Sequence, residues 1–460
     1  MRTFQDLQIA GDKQAFTFSA ISDYKASEAY KNALEGIAYS TGKNTTIISY
    51  QNLLYTLTGE AVPDNYSANH KCASNFLQRL TCQLSSYLLS NGVQFEKEES
   101  KYKIDDDLDT KLLQATQSAL VQGCSYGFWN NDHVDYFTAS EFCPLFDEET
   151  GALRAGIRFW QISSEKPLRA TLYEEDGYTE YIKIKGEIKA LKEKTAYKLI
   201  IAHTEADGMR IVDGQNYDRF PIVPLYPNPN KISELQPIKA QIDAFDLIKS
   251  GFANDLDDAS MIYWTINNAG GMTDIDLKKF IERMKVVKAA AVDDDAKAEA
   301  HTIDVPYQSR ETYLNRLEKD INKDFMALDV EIISSGNVTA TQIKAAYEPM
   351  SEKADRLEAC IIEHLKALMR FAGVDDYPRF RRSQLSNEME QTQMVMMCAN
   401  ILDTQTILEH LPFLTVDEVP VILERMQAEE AERIVNQPMI EEKEEEKEEE
   451  KEEEPDGADE

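Results

Sequence analysis

Residues 233–262, SELQPIKAQIDAFDLIKSGFANDLDDASMI, decide how this chain folds. Apolar side chains recur there every three or four residues, which predicts one long amphipathic helix. They are Leu235, Ile238, Ile242, Phe245, Ile248, Phe252, Leu256 and Ile262. A helix of this length would form a rod about 45 Å long. Ser233 suits its N-cap, and Pro237 falls in the first turn, where proline is tolerated.

A small module and a second rod follow the first. The pattern predicts a helix over 273–284 and then strands over 285–292 and 299–305. Helical spacing returns over 309–328. Two rods with a compact tip between them cannot bury both of their faces within one thin subunit. We therefore expect neighbouring copies of the chain to cover these faces, so the order of elements predicts an oligomer.

A break separates the second rod from a third long helix. Residues 334–337, Ser-Ser-Gly-Asn, interrupt the apolar pattern. Helical spacing resumes at Thr339 and continues to Gly373, where glycine suits a left-handed helix end. Pro349 should kink this helix, because proline removes one backbone donor and crowds the preceding turn.

The flanking regions differ in character, and together they predict an α+β fold. Helices are expected over 67–90 and 108–123, followed by strands at 126–137, 152–162, 170–173, 180–184 and 197–203. Asp-Gly pairs at 176–177, 207–208 and 213–214 predict turns. Towards the C-terminus, helices are expected over 386–402 and 416–435. The Glu/Lys run from Glu441 should be disordered.

The chain is strongly acidic, which limits how it can handle nucleic acid. It has 49 basic and 82 acidic residues, a net charge of −33, of which the last twenty residues supply −11. Duplex DNA is gripped by Lys and Arg, so this body should confine DNA or pass it along. No apolar run reaches the roughly 18 residues that a membrane span needs, and the start lacks a signal-peptide core. We expect neither a membrane protein nor a secreted one.

Familiar catalytic motifs are not matched. Five residues separate Gly36 from Gly42, where a phosphate-binding loop needs four, and Asn44 replaces its Ser or Thr. A helix end turning into a loop explains this string better than ATP binding. The aspartate runs at 105–107, 257–258 and 293–295 fit solvated loops better than a two-metal nuclease site. Without C-x-x-C or a histidine ligand spacing, we predict no metal, no cofactor and no enzymatic activity.

One short segment reverses the overall charge. Five cations against Glu282 alone place about +4 on residues 278–288. They are Lys278, Lys279, Arg283, Lys285 and Lys288. Two interpretations are open: a solvated helix face, or an electrostatic contact with an acidic partner protein or with DNA at the narrow end of a ring.

Several strings, taken in order, resemble one known family. They are YLLSNGVQF at 87–95, ALVQGCSYG at 119–127, AGIRFW at 155–160, FPIVP at 220–224 and IDAF at 242–245. The order is similar to that of tailed-bacteriophage portal proteins of the long-tailed, Gram-positive-phage type, from about residue 25 to 435. Trp160 and Phe245 stand where this family often has tyrosine, and both keep an aromatic ring.

The resemblance implies a ring of about a dozen subunits at one capsid vertex, a conduit for genome packaging and ejection. It divides the chain into a wing (1–231), first stem helix (232–264), clip (265–306), second stem helix (307–331), tunnel loop (332–341), kinked wing helix (342–373), crown (374–438) and acidic tail (439–460). Implied partners are identical copies, the terminase large subunit, a head-completion adaptor, capsid and scaffolding proteins, and passing double-stranded DNA, with no membrane. The implied location is the virion, after assembly in the host cytoplasm.

Within this division the tunnel loop faces DNA. We expect Ser334, Ser335, Asn337 and Lys344 to touch the DNA backbone, and Gly336 to let the loop shift. The basic cluster falls in the clip, which meets successive partners. The residues alone leave two other functions open: a non-viral acidic helical scaffold or adaptor, and a nucleotide-dependent enzyme built on the glycine-lysine string or the aspartate runs.

Overall fold

The computed structural model describes residues 2–51, 53–55, 59–64, 69–184, 186–205, 208–259, 263–267, 273, 275–276, 278–279, 297–301, 307–329, 339–383, 392, 395–398, 401–411, 414 and 418–436. These residues combine helices with antiparallel sheets, so the mixed helix and sheet composition expected from the sequence is confirmed. The chain divides into two compact units, Met1–Gln384 and Leu385–Glu460.

Helices of the first unit are α1 (Phe4–Ile9), α2 (Lys13–Ala26), α3 (Glu28–Ser40), α4 (Thr45–Ser49), α5 (Phe76–Leu89), α6 (Glu99–Tyr102), α7 (Leu108–Gln122), α8 (Lys239–Ala259), α9 (Tyr307–Phe325) and α10 (Ala340–Ala372). The second unit carries α11 (Thr404–Glu409) and α12 (Glu418–Asn436).

The strands are β1 (Leu53–Tyr55), β2 (Ala61–Pro63), β3 (Val93–Gln94), β4 (Ser125–Asn130), β5 (His133–Thr138), β6 (Phe142–Phe146), β7 (Leu153–Trp160), β8 (Leu168–Glu174), β9 (Gly177–Ile184), β10 (Glu187–Ala190), β11 (Lys198–Glu205), β12 (Gly208–Gln215), β13 (Ile222–Leu225), β14 (Tyr263–Asn267), β15 (Lys297–His301) and β16 (Arg379–Phe380). Two larger sheets have the orders β10-β9-β8-β7-β6 and β13-β4-β5, and the other strands pair in twos.

Helix α2 covers one face of the five-stranded sheet. Its buried side chains Phe16, Ile21 and Tyr24 share a core with Ile157 and Leu172 of the sheet. The Tyr24 hydroxyl donates a 2.7 Å hydrogen bond to the carbonyl oxygen of Ala139, so this buried polar atom is satisfied. Burial is continuous over residues 155–157 of β7 and 170–174 of β8, which suits their short apolar runs.

A second core lies around β4 and β5 and is mainly aromatic. It includes Tyr126, Phe128, Phe137, Phe142, Tyr173 and Tyr197. Beside it, His364 of α10 is fully buried, with Nδ1 3.1 Å from the Pro224 carbonyl oxygen and Nε2 3.2 Å from the Tyr136 hydroxyl. Burial lowers the pKa of His364 to about 4, so the ring is neutral at physiological pH and serves the packing of α10.

Helices α5, α7 and α10 form the largest core. Their apolar residues recur at helical spacing and are buried, for example Leu80, Leu84 and Leu88 of α5. Helix α10 has the bounds that the sequence predicts: a capping box joins Thr339 to Gln342, and the chain leaves it at a left-handed Gly373. The helix runs on through Pro349 as one element.

The first rod is shorter than the sequence predicts. Helix α8 begins at Lys239, because residues 234–238 form tight turns in which the Ser233 hydroxyl accepts from the Leu235 N–H and donates to the Val121 carbonyl. Residues 260–262 lie outside the described residues, but the expectation that the first stem helix reaches residue 264 was wrong. Residues 263–267 form β14, which pairs with β15, as β-branched and aromatic side chains favour.

Other element predictions needed correction. The single strand expected at 126–137 is the β4–β5 hairpin, which turns at a left-handed Asn131. The pair Asp213-Gly214 lies inside β12 instead of forming a turn. Strands β6, β10 and β13 were not predicted, and α5 starts at Phe76 instead of near residue 67. The predicted strand at 285–292, the break at 334–337 and the acidic run from Glu441 lie outside the described residues.

One aspartate run is not a solvated loop. Asp105 is buried and accepts hydrogen bonds from the backbone of Val134 (2.9 Å) and Asp107 (2.8 Å) and from Lys111 Nζ (2.6 Å). Burial alone would raise the pKa of Asp105, but these hydrogen bonds outweigh it and hold the pKa below its usual value. Asp105 therefore organises the turn before α7, and the prediction of a solvated side chain was wrong.

Helix α3 crosses the end of α7 at Gly36, and we expect Gly36→Ala to lower the free energy of unfolding by about 3 kcal/mol. A Cβ atom there would lie 2.0 Å from the carbonyl oxygen of Val121, so the helices must separate. Urea denaturation measures the effect, with Gly11→Ala as the control because no atom lies within 4 Å of its Cβ position. Equal stability of the two variants would contradict this close helix crossing.

Candidate functional site

Helices α8 and α9, called here the helix pair, lie side by side in opposite directions. Near one end Arg310 of α9 forms an ion pair with Asp255 of α8. Near the other end Gln241 of α8 donates a hydrogen bond to Asp324 of α9. The polar contacts at both ends fix the antiparallel register, and the two rods expected from the sequence therefore pack on each other.

Burial changes along the helix pair. At its base, Ile242 of α8 and Ile321 and Phe325 of α9 are buried in the largest core, and Leu317 of α9 is also buried. In the other half, residues 251–257 and 307–316, every side chain is at least partly exposed. Only the base of the pair is therefore anchored in the first unit.

The outer half of the pair nevertheless carries large apolar side chains. Leu256 is 52% exposed, Tyr307 58% and Tyr313 47%. A groove of about 340 Å³ runs between the two helices, with Ile248, Gly251 and Tyr313 among its lining residues. Exposed apolar side chains that adjoin a groove on paired helices are typical of a surface that another protein covers.

The segment 69–75, called here the strap, holds α8 through a series of hydrogen bonds. The His70 N–H donates to Asn254 Oδ1 (2.7 Å), the Cys72 N–H to Ser250 Oγ (3.0 Å) and the Ser74 N–H to Asp246 Oδ1 (2.9 Å). Strap residues two positions apart thus donate to α8 residues four positions apart.

The spacing of these bonds follows from backbone geometry. Two residues of nearly extended chain advance about 6.6 Å, and four residues of α-helix advance about 6 Å. An extended segment can therefore follow a helix and meet one acceptor per turn. The strap also explains why α5 starts only at Phe76, since His70, Cys72 and Ser74 give their N–H groups to α8 and not to a helix of their own.

Asp246 joins the strap to the N-terminal helices. Its side chain is buried and accepts a second hydrogen bond from Asn44 Nδ2 at 2.8 Å. Burial raises the pKa of this carboxyl group above its usual value. The Asn44 side chain also caps α4, accepting from the backbone N–H groups of Thr46 and Ile47. The string from Gly36 to Asn44 is thus a helix end, a loop and a helix cap, as the sequence analysis favoured.

We expect Ser250→Ala to lower the free energy of unfolding by about 1.5 kcal/mol, because the Cys72 N–H loses its acceptor in a part-buried place. Urea denaturation measures this loss. Ser49→Ala is the matched control, since the Ser49 hydroxyl is exposed and bonds only within its own helical turn. If both variants unfold at the same urea concentration, the strap does not hold α8.

A lysine joins the base of the helix pair, where α8 begins and α9 ends, to α10. Lys353 Nζ lies 2.5 Å from Glu234 Oε2, in the segment just before α8, and donates a 2.9 Å hydrogen bond to the carbonyl oxygen of Phe325, the last residue of α9. It also lies 3.6 Å from the centre of the Phe325 ring. The Lys353 and Glu234 side chains are 14% and 8% exposed, and burial lowers the pKa of Lys353.

Glu234 is itself held from two further directions. Its backbone N–H donates to the Leu120 carbonyl oxygen at 2.9 Å, and its Oε1 accepts from Asn228 Nδ2 at 2.9 Å. Helix α9 ends beside it with a left-handed Met326, whose N–H donates to the Lys323 carbonyl. Glu234 thus contacts the end of α7 through its backbone N–H, and its carboxylate holds Lys353, which reaches the end of α9.

The structure places the predicted site residues on different elements. Lys278 and Lys279 are exposed in a short helical stretch, before which the Thr273 hydroxyl donates to Asp276 Oδ2 at 2.7 Å. Lys344 is exposed near the start of α10. The other predicted contacts lie outside the described residues: Arg283, Lys285, Lys288, Ser334, Ser335, Gly336 and Asn337.

The described flanks of the predicted tunnel loop both meet α10. The Asp329 N–H donates to the Ala346 carbonyl oxygen at 3.3 Å, and Thr339 caps the helix. Sequence reasoning missed Lys353, Glu234 and the strap. The sequence held no distinguishing signal for the lysine, because Lys353 borders the apolar stripe of α10 between Met350 and Leu357, as lysines that reach water often do. For the strap the signal was the polar series at 246, 250 and 254, spaced by four.

Within the described ranges there is no group of three His, Cys, Asp or Glu side chains that could hold a metal ion. Among the helices of the described chain, none combines the length and apolarity of a bilayer span.

Comparison with solved structures finds subunits of gene transfer agent particles. The chain is 10% identical to a subunit in the virion of a native gene transfer agent, with a TM-score of 0.41, covering 76% of this chain and 88% of the other. A subunit in the neck of the native particle, computed with C12 symmetry, is 11% identical, with a TM-score of 0.41 and coverages of 75% and 87%.

Comparison with characterised proteins finds two phage relatives. The portal protein of Clostridium phage phiCD119 is 24% identical over 384 residues, which covers 77% of this chain and 83% of the relative. The portal protein of Bacillus phage SPP1 is 22% identical over 415 residues, covering 83% and 80%. A family model described as phage portal protein, SPP1 Gp6-like, matches residues 23–456. The chain therefore belongs to the SPP1 Gp6-like family of phage portal proteins.

Proposed function

We propose that identical copies of this chain close into a ring of about a dozen subunits at one capsid vertex, and that genome DNA passes through its centre during packaging and ejection. The observation that carries this proposal is the outer half of the helix pair. It keeps Leu256, Tyr307 and Tyr313 exposed on a surface that no other described residue of the chain covers. Side-by-side helix pairs of neighbouring copies would bury these side chains around a common axis.

The chain divides functionally as the family resemblance implies. We assign α8 and α9 to the stem, residues 265–306 to the clip, 332–341 to the tunnel loop and 374–438 to the crown. The clip with its basic cluster would meet the terminase large subunit and later the head-completion adaptor. Capsid and scaffolding proteins would contact the remaining ring, which forms in the host cytoplasm and stays in the virion.

The acidity of the chain supports a passive conduit. DNA that moves stepwise must break each phosphate contact at every step, so a channel wall with few free cations offers little adhesion. The net charge is −33. In this proposal only a few loop residues touch the DNA backbone: Ser334, Ser335, Asn337 and Lys344, with Gly336 giving the loop its freedom.

We expect Leu256→Asp to prevent ring formation without unfolding the subunit. The new carboxylate would be buried against a neighbouring copy in the ring, but it is solvated in the single chain, where this position is 52% exposed. Negative-stain electron microscopy counts rings, and circular dichroism confirms the fold.

The control for this experiment is Ile162→Asp, because Ile162 is 86% exposed and lies in the loop after β7, away from the helix pair. This variant should form rings as the original chain does. Rings formed equally well by the Leu256→Asp protein would contradict the assignment of the helix pair to the subunit interface.

Deleting Ser335–Asn337 should spare ring assembly and reduce the number of DNA-filled heads, since the deletion removes the proposed DNA contact and leaves the capped start of α10 intact. The readout is the ratio of filled to empty heads in phage that carry the deletion. Removing Ser163–Glu165, an exposed loop of the same length between β7 and β8, is the matched control. Normal packaging by the Ser335–Asn337 deletion would remove the tunnel-loop assignment.

A further inference from the structure

We propose that Lys353 is a positioning residue, which fixes the base of the helix pair, and with it the chain leading into residue 330, against α10. This proposal rests on the proposed function, because the segment that it positions leads into the assigned tunnel loop. The juxtaposition that carries it is one ammonium group between the Glu234 carboxylate and the Phe325 carbonyl oxygen.

Lys353 makes its contacts at the base of the helix pair, where α8 begins and α9 ends. Glu234 precedes α8 and Phe325 ends α9, so one side chain of α10 reaches the start of the first helix and the end of the second. The other polar contacts of the pair go elsewhere: Arg310 with Asp255 and Gln241 with Asp324 join the two helices to each other, and the strap and Arg79 of α5 join the pair to the N-terminal part of the first unit. Lys353 adds the charged contact between the base of the pair and α10.

The end of α9 needs an external donor. Met326 adopts the left-handed conformation that glycine usually occupies, and the Ala327 N–H donates to the Asn322 carbonyl at 2.9 Å. This arrangement satisfies carbonyls one turn back but leaves the Phe325 carbonyl pointing past the helix end, where Lys353 meets it. A cation at a helix C-terminus also interacts favourably with the helix dipole.

The chain after this point runs along α10. The Asp329 N–H donates to the Ala346 carbonyl oxygen, seven residues before Lys353. Seven residues of helix correspond to about 10 Å. Residues 325–329 are therefore held at two places on α10, a charged contact at Phe325 and a backbone contact at Asp329. Removing the first should let the segment move while the second unit and the helical core keep their structure.

A double variant separates positioning from plain stability. In Lys353→Met the side chain keeps its length over the Phe325 ring but cannot donate, and Glu234 is left buried without its cation. Adding Glu234→Gln removes that stranded charge and keeps an acceptor for Asn228. The double variant E234Q/K353M thus restores charge balance and still lacks the donor for the Phe325 carbonyl.

Hydrogen–deuterium exchange of the purified full chain provides the first test. We expect the amides of Ala327 and Asp329 to exchange about tenfold faster in E234Q/K353M, the loss expected for one charge-assisted hydrogen bond, with α7 amides unchanged. Lys366→Met, which removes an exposed cation from the same helix, should leave all these rates unchanged. Unchanged rates at Ala327 and Asp329 in the double variant, or an equal increase in α7, would overturn the proposal.

Phage carrying the same variants provide the second test. The double variant should form rings but yield about tenfold fewer DNA-filled heads, in line with the lost hydrogen bond. A filled-head yield equal to that of the original phage would overturn the link between Lys353 and packaging. The Ser335–Asn337 deletion tells the two proposals apart. If the deletion blocks packaging and the double variant does not, only the positioning role fails; if the deletion also packages normally, the tunnel loop fails.

Discussion

The antiparallel pairing of α8 and α9 determines much of the remaining structure, because two helices side by side can cover only one face of each other. The chain supplies a core for the base of the pair, where Ile242, Ile321 and Phe325 are buried. For residues 251–257 and 307–316 the described part of the chain supplies no such core. An amphipathic helix gains most of its stability from burying its apolar face, so the outer half requires a partner. In the proposed ring that partner is another copy of the chain.

Polar contacts, more than packing, define where the base of the pair sits. The strap bonds to Asp246, Ser250 and Asn254 on one side of α8, and Lys353 bonds to Glu234 and the end of α9. Hydrogen bonds are directional, so each of them is lost if the helix rotates or slides by one residue. Apolar packing tolerates such movements better. Buried polar groups are costly when unpaired, which makes the observed position the favoured one.

The sequence was a good guide where one local rule governs an element. Thr339 and Gly373 bound α10 because a capping box and a left-handed glycine act within a few residues of the helix ends. The sequence was a poor guide where a residue distant in the chain determines the local structure. Residues 69–75 were expected to belong to a helix but form none, and the N–H groups of His70, Cys72 and Ser74 bond to α8 instead. Asp105 looked like a solvated turn residue, and its burial depends on Val134, which lies in another element.

The candidate site likewise combines features that local sequence patterns predict with features that depend on distant partners. The apolar stripes that place α8, α9 and α10 could be predicted from spacing, and so could the family, from strings in a shared order. The role of Lys353 could not, because a lysine beside an apolar stripe is usually a side chain that reaches water. Only the convergence of Glu234 and Phe325 on its ammonium group distinguishes it, and that convergence joins segments far apart in the chain.

The pairing of cationic side chains in the first unit affects how strongly the proposed conduit would bind DNA. Several of those near the helix pair are already engaged by carboxylates: Arg310 by Asp255, Arg79 by Glu318, Lys353 by Glu234 and Lys239 by Asp243. An arginine or lysine held in this way would have to give up one anion to bind another, so it contributes little affinity for phosphate. Low adhesion of DNA to the proposed conduit then has two sources. One is the excess of acidic residues, and the other is the pairing of the lysine and arginine side chains with carboxylates of the same chain. The second source is specific to the fold, because it depends on which helices meet.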